Sequence, residues 1–223
     1  MRYWRSDKWR SRGGDPTGTP KGVIWSFANI WWAVTTHTQA TGGGAADVDL
    51  VMGPLVLAGP LFMLLSTWLT GGHIVTMQRF EPAQALDAVD RHRVTVAATS
   101  PLILRMLADA PEFAAADLSS IRYLVVGGGP IAPDLLGRFA ARGVRVTQGS
   151  AMTETTGVAT FLPPELIETK LGSAGLPLPM TEVRIIAGDG RVTVRLSGVN
   201  WREFRSSGKR SLIRGGPADS AQA

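Results

Sequence analysis

From residue 71 onward, short β-branched and aliphatic runs alternate with segments of helical period, and this alternation constrains the fold more than any other feature. HIVTM (73–77) follows Gly71-Gly72 and reads as a strand. FEPAQALDAVDRHR (80–93) begins with the helix-opening pair Glu81-Pro82 and sets Leu86 and Val89 on one face. VTVAA (94–98) reads as a second strand. Ser100-Pro101 then caps a helix expected to turn Leu102, Ile103, Met106 and Leu107 inward. RYLVV (122–126) gives a third strand, PDLLGRFAARG (133–143) a helix stopped by Gly143, and VRVTQ (144–148) a fourth strand. EVRII (182–186) offers one more. Strand–helix–strand units at this spacing predict an α/β fold with a mainly parallel sheet flanked by helices. Such sheets bind ligands in loops at the carboxyl ends of their strands. Two loops follow from that rule: GGGP after Val126, and GSAMTET after Gln148.

The segment LVMGPLVLAGPLFMLLSTWL (50–69) carries no charge and is long enough to span a bilayer. Gly53-Pro54 and Gly59-Pro60 divide it into pieces of strand and helix length, and basic flanks are absent. The expectation is a buried strand over about 50–57, a turn, and a buried helix over about 60–69, with a transmembrane helix as the rival reading.

The 223 residues suffice for one sizeable core or two small ones, and a hydrophobic content of 44% predicts folding. The absence of cysteine excludes disulfides, thiolate metal sites and a cysteine nucleophile, and suits a cytoplasmic setting. The charged start MRYWRSDKWRSRGG has no apolar run after it and is not expected to act as a secretory signal. A net charge of +5 suggests nucleic acid, but the charge is unevenly placed. Residues 1–22 hold six Lys/Arg against two Asp/Glu, and residues 191–223 hold seven against two. Residues 23–190 hold ten against fourteen, so the body is acidic and a stable nucleic-acid complex is not expected of it.

GGDPTGTPKGV (13–23) concentrates Gly, Thr and one Lys. These residues supply backbone freedom, hydroxyl donors and a point charge, which together suit an anionic group. An exposed turn is the alternative, and the order Pro20-Lys21-Gly22 rules out a Walker A loop. Gly127, Gly129 and Ala132 fit a dinucleotide fingerprint after a strand, but the next strand ends at Thr147-Gln148 without the acid that would hold a ribose. A glycine-rich turn with no ligand is the other reading. Thr153 and Glu154 would offer a hydroxyl and a carboxylate side by side, and a carboxylate near phosphates reaches them through Mg²⁺. His37, His73 and His92 show no ligand spacing and suit core or surface positions.

Taken in order, TGTPKGV, GGGP, MTETTG and GSAGLPLPMTEVRII resemble the adenylate-forming superfamily of acyl- and aryl-CoA synthetases, peptide-synthetase adenylation domains and luciferases. The stretch SIRYLVVGGGPIAPDLLGRFAARGVRVTQGSAMTETTG is most similar to the acyl-CoA synthetase branch. The resemblance implies a ligase that activates a small carboxylic acid with ATP as an acyl-adenylate and passes the acyl group to a thiol. ATP, Mg²⁺ and coenzyme A are the implied cofactors and co-substrate. It implies that Thr17, Gly18, Thr19 and Lys21 hold the β- and γ-phosphates, and that Gly128, Gly129 and Pro130 line the adenine pocket. Gln148 would meet the adenine edge, Thr153 a phosphate, and Glu154 the Mg²⁺. Thr153, Glu154 and Lys21 are thus the implied catalytic group. Gly172, Ser173 and Gly175 match a structural turn between subdomains, and residues 80–98 would help wall the acyl pocket.

The chain departs from the family pattern at Asp15 and Pro16 in the phosphate loop, and at Leu57 where many relatives have histidine. Ser150 stands where an adenine-stacking tyrosine is usual, and Ala151 replaces a glycine. The ribose-binding Thr-Gly-Asp run, the hinge and the lid lysine have no match. The resemblance therefore divides the chain into a basic leader (1–13), a partial large domain (14–190) and a basic tail (191–223). It implies a family member truncated or frame-disrupted at both ends and incomplete for catalysis. The alternative is a non-catalytic remnant or a basic-tailed nucleic-acid-associated protein, with Trp4, Trp9 and Trp201 available to stack on bases.

Overall fold

The computed structural model describes residues 8–13, 21–167, 169–170, 172–186 and 191–197. β1 (Lys8–Gly13) and β2 (Lys21–Ser26) form an antiparallel pair with Gly13 opposite Lys21 and Trp9 opposite Trp25. α1 (Phe27–Thr41) follows β2 directly. Strand and helix then alternate: β3 (Val48–Val51), α2 (Ala58–Leu69), β4 (His73–Thr76), α3 (Pro82–His92), β5 (Val96–Thr99), α4 (Pro101–Asp109), β6 (Tyr123–Val126), α5 (Pro133–Ala140) and β7 (Val146–Met152). β8 (Gly157–Phe161), β9 (Leu176–Pro177), β10 (Glu182–Ile186) and β11 (Val192–Ser197) follow.

The central sheet has seven strands in the order β4-β3-β5-β6-β7-β8-β9. Pairing is parallel from β4 to β7 and antiparallel from β7 to β9, so the sheet is mixed and mostly parallel, flanked by helices, as the alternation predicts. β10 and β11 form a separate antiparallel pair. The strand period of two sorts the core. Leu124 and Val126 of β6 join Leu86, Val89, Leu104, Leu107, Leu135 and Phe139 from α3, α4 and α5. Tyr123 and Val125 point the other way and pack with Phe161 and Leu178. Beyond them, Trp25, Ile30, Val34, Leu61, Phe62 and Met63 bind β2, α1 and α2 into one cluster.

Four local features depart from the sequence reading: one helix it does not anticipate and three expectations that change. α1 has no clear sequence signal, because Phe27, Trp31 and Trp32 sit on its exposed face and blur the apolar stripe. Its start is nevertheless well capped: Ser26 Oγ accepts from the Asn29 amide at 3.1 Å, and Asn29 Oδ1 accepts from the Ser26 amide at 3.1 Å. Second, β3 ends at Val51 and α2 starts at Ala58, so Gly59-Pro60 lies inside the first helical turn. Amides there have no intrahelical partner, so proline breaks nothing. Leu55, Val56 and Leu57 are exposed rather than part of a buried strand. Among the described residues no helix is long and apolar enough to cross a membrane. Third, α4 turns Leu104, Leu107 and Ala108 inward, an i, i+3, i+4 stripe, and leaves Leu102 and Met106 exposed. The Ser100 cap stands, its Oγ accepting from the Ile103 amide at 3.3 Å. Fourth, β7 runs past Gln148 to Met152 and folds back on β8, so GSAMTET belongs largely to a strand and its hairpin turn.

Behind the sheet, α1, α2 and the amino ends of β3, β5 and β6 enclose a polar layer. Asp47 accepts from Arg122 Nη2 at 2.6 Å, from Thr95 Oγ1 at 3.0 Å and from the Gly44 amide at 3.0 Å. Asp49, fully buried, accepts among the described residues from Thr67 Oγ1 alone, at 3.3 Å, and burial pushes its carboxyl up to about 7. His37 is buried edge-on to Phe62 with ring centres 5.3 Å apart, and burial drives its imidazole down to about 4.

Candidate functional site

The site grows from the carboxyl ends of β6 and β7. These strands run parallel with Val126 opposite Gln148, so the loop after Val126 emerges beside the half-buried Gln148 side chain. Gly128 adopts φ +84°, a left-handed conformation that glycine takes without strain. Gly128, Gly129 and Pro130 are all exposed. The loop lies close to both neighbouring strands: the Gly127 amide donates to Thr99 O at 3.1 Å, and a Cβ at Gly127 would meet Gly149 O at 3.6 Å. GGGP and Gln148 therefore share one end of the sheet.

Thr153 and Glu154 open a single 3₁₀ turn, Thr153–Thr155, immediately after β7. Thr155 staples it, with Oγ1 accepting from the Met152 amide at 3.1 Å and donating to Gly157 O at 2.7 Å. Thr156 then takes φ +63°, unusual for a β-branched residue, and donates its amide to Thr153 O at 3.2 Å. The turn presents Glu154 to solvent and leaves Thr153 half-buried. At about 3.3 Å per residue, the path from Gln148 to Thr153 covers roughly 16 Å. That is comparable to an extended nucleoside triphosphate, with the amide side chain at one end and the hydroxyl and carboxylate at the other.

The third segment is joined by a residue that the sequence does not single out. Trp25 of β2 is 1% exposed and donates its indole N–H to Thr153 O at 2.7 Å. The β1–β2 pair consequently lies against the 3₁₀ turn. Lys21 begins β2, four residues before Trp25, about 13 Å along the strand. Thr17, Gly18 and Thr19 lie outside the described residues, as do Asp15 and Pro16. In sequence they fall between Gly13 and Lys21, which are paired. The structure thus brings Gly128–Pro130, Gln148, Thr153 and Glu154 to one region and leads the strand that starts at Lys21 to it. Trp25 had no readable signal beyond being an apolar residue in a short β-branched run.

A metal would find a limited donor set here. Among the described residues no group of three or more His, Cys, Asp or Glu could hold an ion. One exposed carboxylate beside a hydroxyl suits Mg²⁺, which binds through one or two carboxylates completed by substrate phosphate and water. Around the same strand ends, Leu55, Val56 and Leu57 after β3, Leu102 and Met106 in α4, and Met152 at the end of β7 expose apolar side chains. Gly175 supports the region from beneath: at φ +89° its Cβ would fall 2.0 Å from the Phe161 carbonyl carbon, so only glycine lets β9 approach β8.

The family of AMP-binding enzymes matches residues 16–198. Feruloyl-CoA synthase from Amycolatopsis sp is 35% identical over 175 residues, which cover 78% of this chain and 36% of that protein. The inhibitor-bound N-terminal domain of FACL13 from Mycobacterium tuberculosis superposes with a TM-score of 0.77 at 28% identity, covering 82% of this chain and 46% of that one. O-succinylbenzoate coenzyme A synthetase from Bacillus subtilis, solved with ATP and magnesium ion, gives a TM-score of 0.73 at 32% identity, covering 83% and 38%. The chain therefore spans little more than a third of the curated relatives it matches, several of them acyl- and aryl-CoA ligases.

Proposed function

Because the chain belongs to the family of AMP-binding enzymes, we propose that it supplies the nucleotide-binding part of an ATP-dependent acid–thiol ligase of the acyl-CoA synthetase kind. Two observations support the reading: the Trp25–Thr153 hydrogen bond ties β2 to the turn after β7, and the β6–β7 pairing sets the GGGP loop beside Gln148.

In this reading Gly128, Gly129 and Pro130 wall the adenine and Gln148 meets its edge. The Thr153 hydroxyl donates to a phosphate, and Glu154 holds Mg²⁺ against the triphosphate. Thr17, Gly18, Thr19 and Lys21 complete the grip on the β- and γ-phosphates. Mg²⁺ supplies charge neutralisation at the phosphoryl oxygens. The carboxylate of the acid attacks the α-phosphorus and pyrophosphate leaves. Preorganised hydroxyl, amide and ammonium donors stabilise the charge that builds on the phosphoryl oxygens. No side-chain nucleophile is needed, which accords with a chain that has no cysteine. The exposed Leu55, Val56, Leu57, Leu102, Met106 and Met152 fit an apolar lining for the acid, with coenzyme A as the accepting thiol.

Ser150 and Ala151 give the base little to stack on, so the expected affinity is modest. Isothermal titration of the folded protein with ATP·Mg²⁺ tests the assignment. Saturable heat that EDTA diminishes supports it, and no heat at millimolar ATP from protein shown to be folded overturns it.

A further inference from the structure

A small, partly open polar chamber lies at the other end of the sheet, away from the proposed nucleotide site. His37 of α1, Ser66 and Thr67 of α2 and Tyr123 of β6 are among the residues that line it, and its volume is about 10 Å³. All four side chains are buried, His37 to 3% exposure. His37 Nδ1 lies 3.4 Å from Ser66 Oγ, while its Nε2 has no hydrogen-bond partner among the described residues. Buried polar atoms in native proteins are satisfied by protein groups or by ordered water. The volume suffices for one water and for nothing larger, and the polar lining sets the chamber apart from apolar cavities, which stay dry. A cation is disfavoured, because the carboxylate at the wall, Asp47, is already engaged by Arg122, Thr95 and the Gly44 amide.

We propose that this chamber binds one ordered water, hydrogen-bonded to His37 Nε2 and to the hydroxyls around it. The water joins α1, α2 and β6, the three elements that meet behind the sheet. The neutral imidazole then has partners at both nitrogens: Ser66 at Nδ1 and the water at Nε2.

A crystal structure of the protein at a resolution that shows ordered solvent tests this directly. The expected result is a solvent peak within about 3.2 Å of His37 Nε2. A chamber without such a peak, or a ring turned so that Nε2 rests on the face of Phe62, overturns it. Two variants give an independent measure. His37→Gln retains a polar group able to reach the water, and His37→Leu does not. The melting temperature of His37→Leu should lie several degrees below that of His37→Gln, and the reverse order contradicts the proposal.

Discussion

Trp25 and Thr153 stand 128 residues apart in the sequence and are joined by a 2.7 Å hydrogen bond from the indole N–H to the backbone carbonyl. The indole also fills the cluster of Ile30, Val34, Leu61, Phe62 and Met63, so one side chain anchors β2 to the core and to the 3₁₀ turn together. Among the described residues, the Thr153 carbonyl accepts one other hydrogen bond, from the Thr156 amide at 3.2 Å.

Replacing Trp25 by phenylalanine keeps an aromatic ring in the cluster and removes the donor. The expected loss is about 1–3 kcal/mol, read from the denaturant midpoint. ATP·Mg²⁺ affinity should fall several-fold as the turn loses its tether. A variant as stable as the parent, with unchanged affinity, would show that the bond positions nothing.

Glu154 is exposed and forms part of no core cluster. Glu154→Gln should therefore melt at the parental temperature without ligand. Its ATP-induced stabilisation should lose the dependence on Mg²⁺, with affinity for ATP·Mg²⁺ about tenfold weaker, or about 1.4 kcal/mol. Thermal melts with ATP, with and without Mg²⁺, make the comparison.

Asp49 and His37 impose opposite pH slopes. Asp49 binds a proton more tightly when folded, its carboxyl raised from 3.8 to about 7, so stability falls as pH rises through that window. At 1.36 kcal/mol per unit this amounts to at most about 4 kcal/mol. His37 is lowered from 6.5 to about 4, so stability falls as pH drops through that window. Between about pH 4 and 6.5 the two nearly cancel, and the parent should show a flat profile. Asn in place of Asp49 should leave a stability that rises with pH over this range and should stabilise the protein at pH 8, as followed by urea unfolding at several pH values.

Gly175→Ala places a methyl carbon 2.0 Å from the Phe161 carbonyl carbon, at a φ that L-residues rarely adopt. A loss of about 3 kcal/mol is expected, with the β8–β9 pairing broken. Gly137→Ala, in α5 with open space around its Cβ, is the control and should be neutral or slightly stabilising. Urea midpoints of the two variants separate steric crowding from a general intolerance of alanine.

The parallel half of the fold was legible because each element obeys its own period. Leu86 and Val89 mark the inner face of α3, and Ser100 marks the start of α4. The hairpin after Gln148 was not legible, since GSAMTET lacks the alternation of a half-buried strand and is held by pairing with β8 instead. The inward placing of Leu102 and Met106 failed because α4 is apolar on both sides, and hydropathy alone does not say which side meets the sheet. At the candidate site, local sequence marked GGGP and the Thr153-Glu154 pair, and the family resemblance added Gln148. Local sequence gave no hint of Trp25, whose role rests on a contact that exists only after β2 has docked. The burial of Asp49 was equally hidden, because a lone acid in a strand reads as surface until its burial is seen, and for His37 local sequence left core and surface open.

The central claim is that residues near Lys21, Pro130 and Glu154 meet around one nucleotide. Backbone amide NMR during a titration with ATP·Mg²⁺ tests it most directly. The account predicts concerted shifts, with one common dissociation constant, at Lys21, Gly128, Gln148 and Thr153. Shifts confined to one of these segments, or separate constants for each, would contradict it.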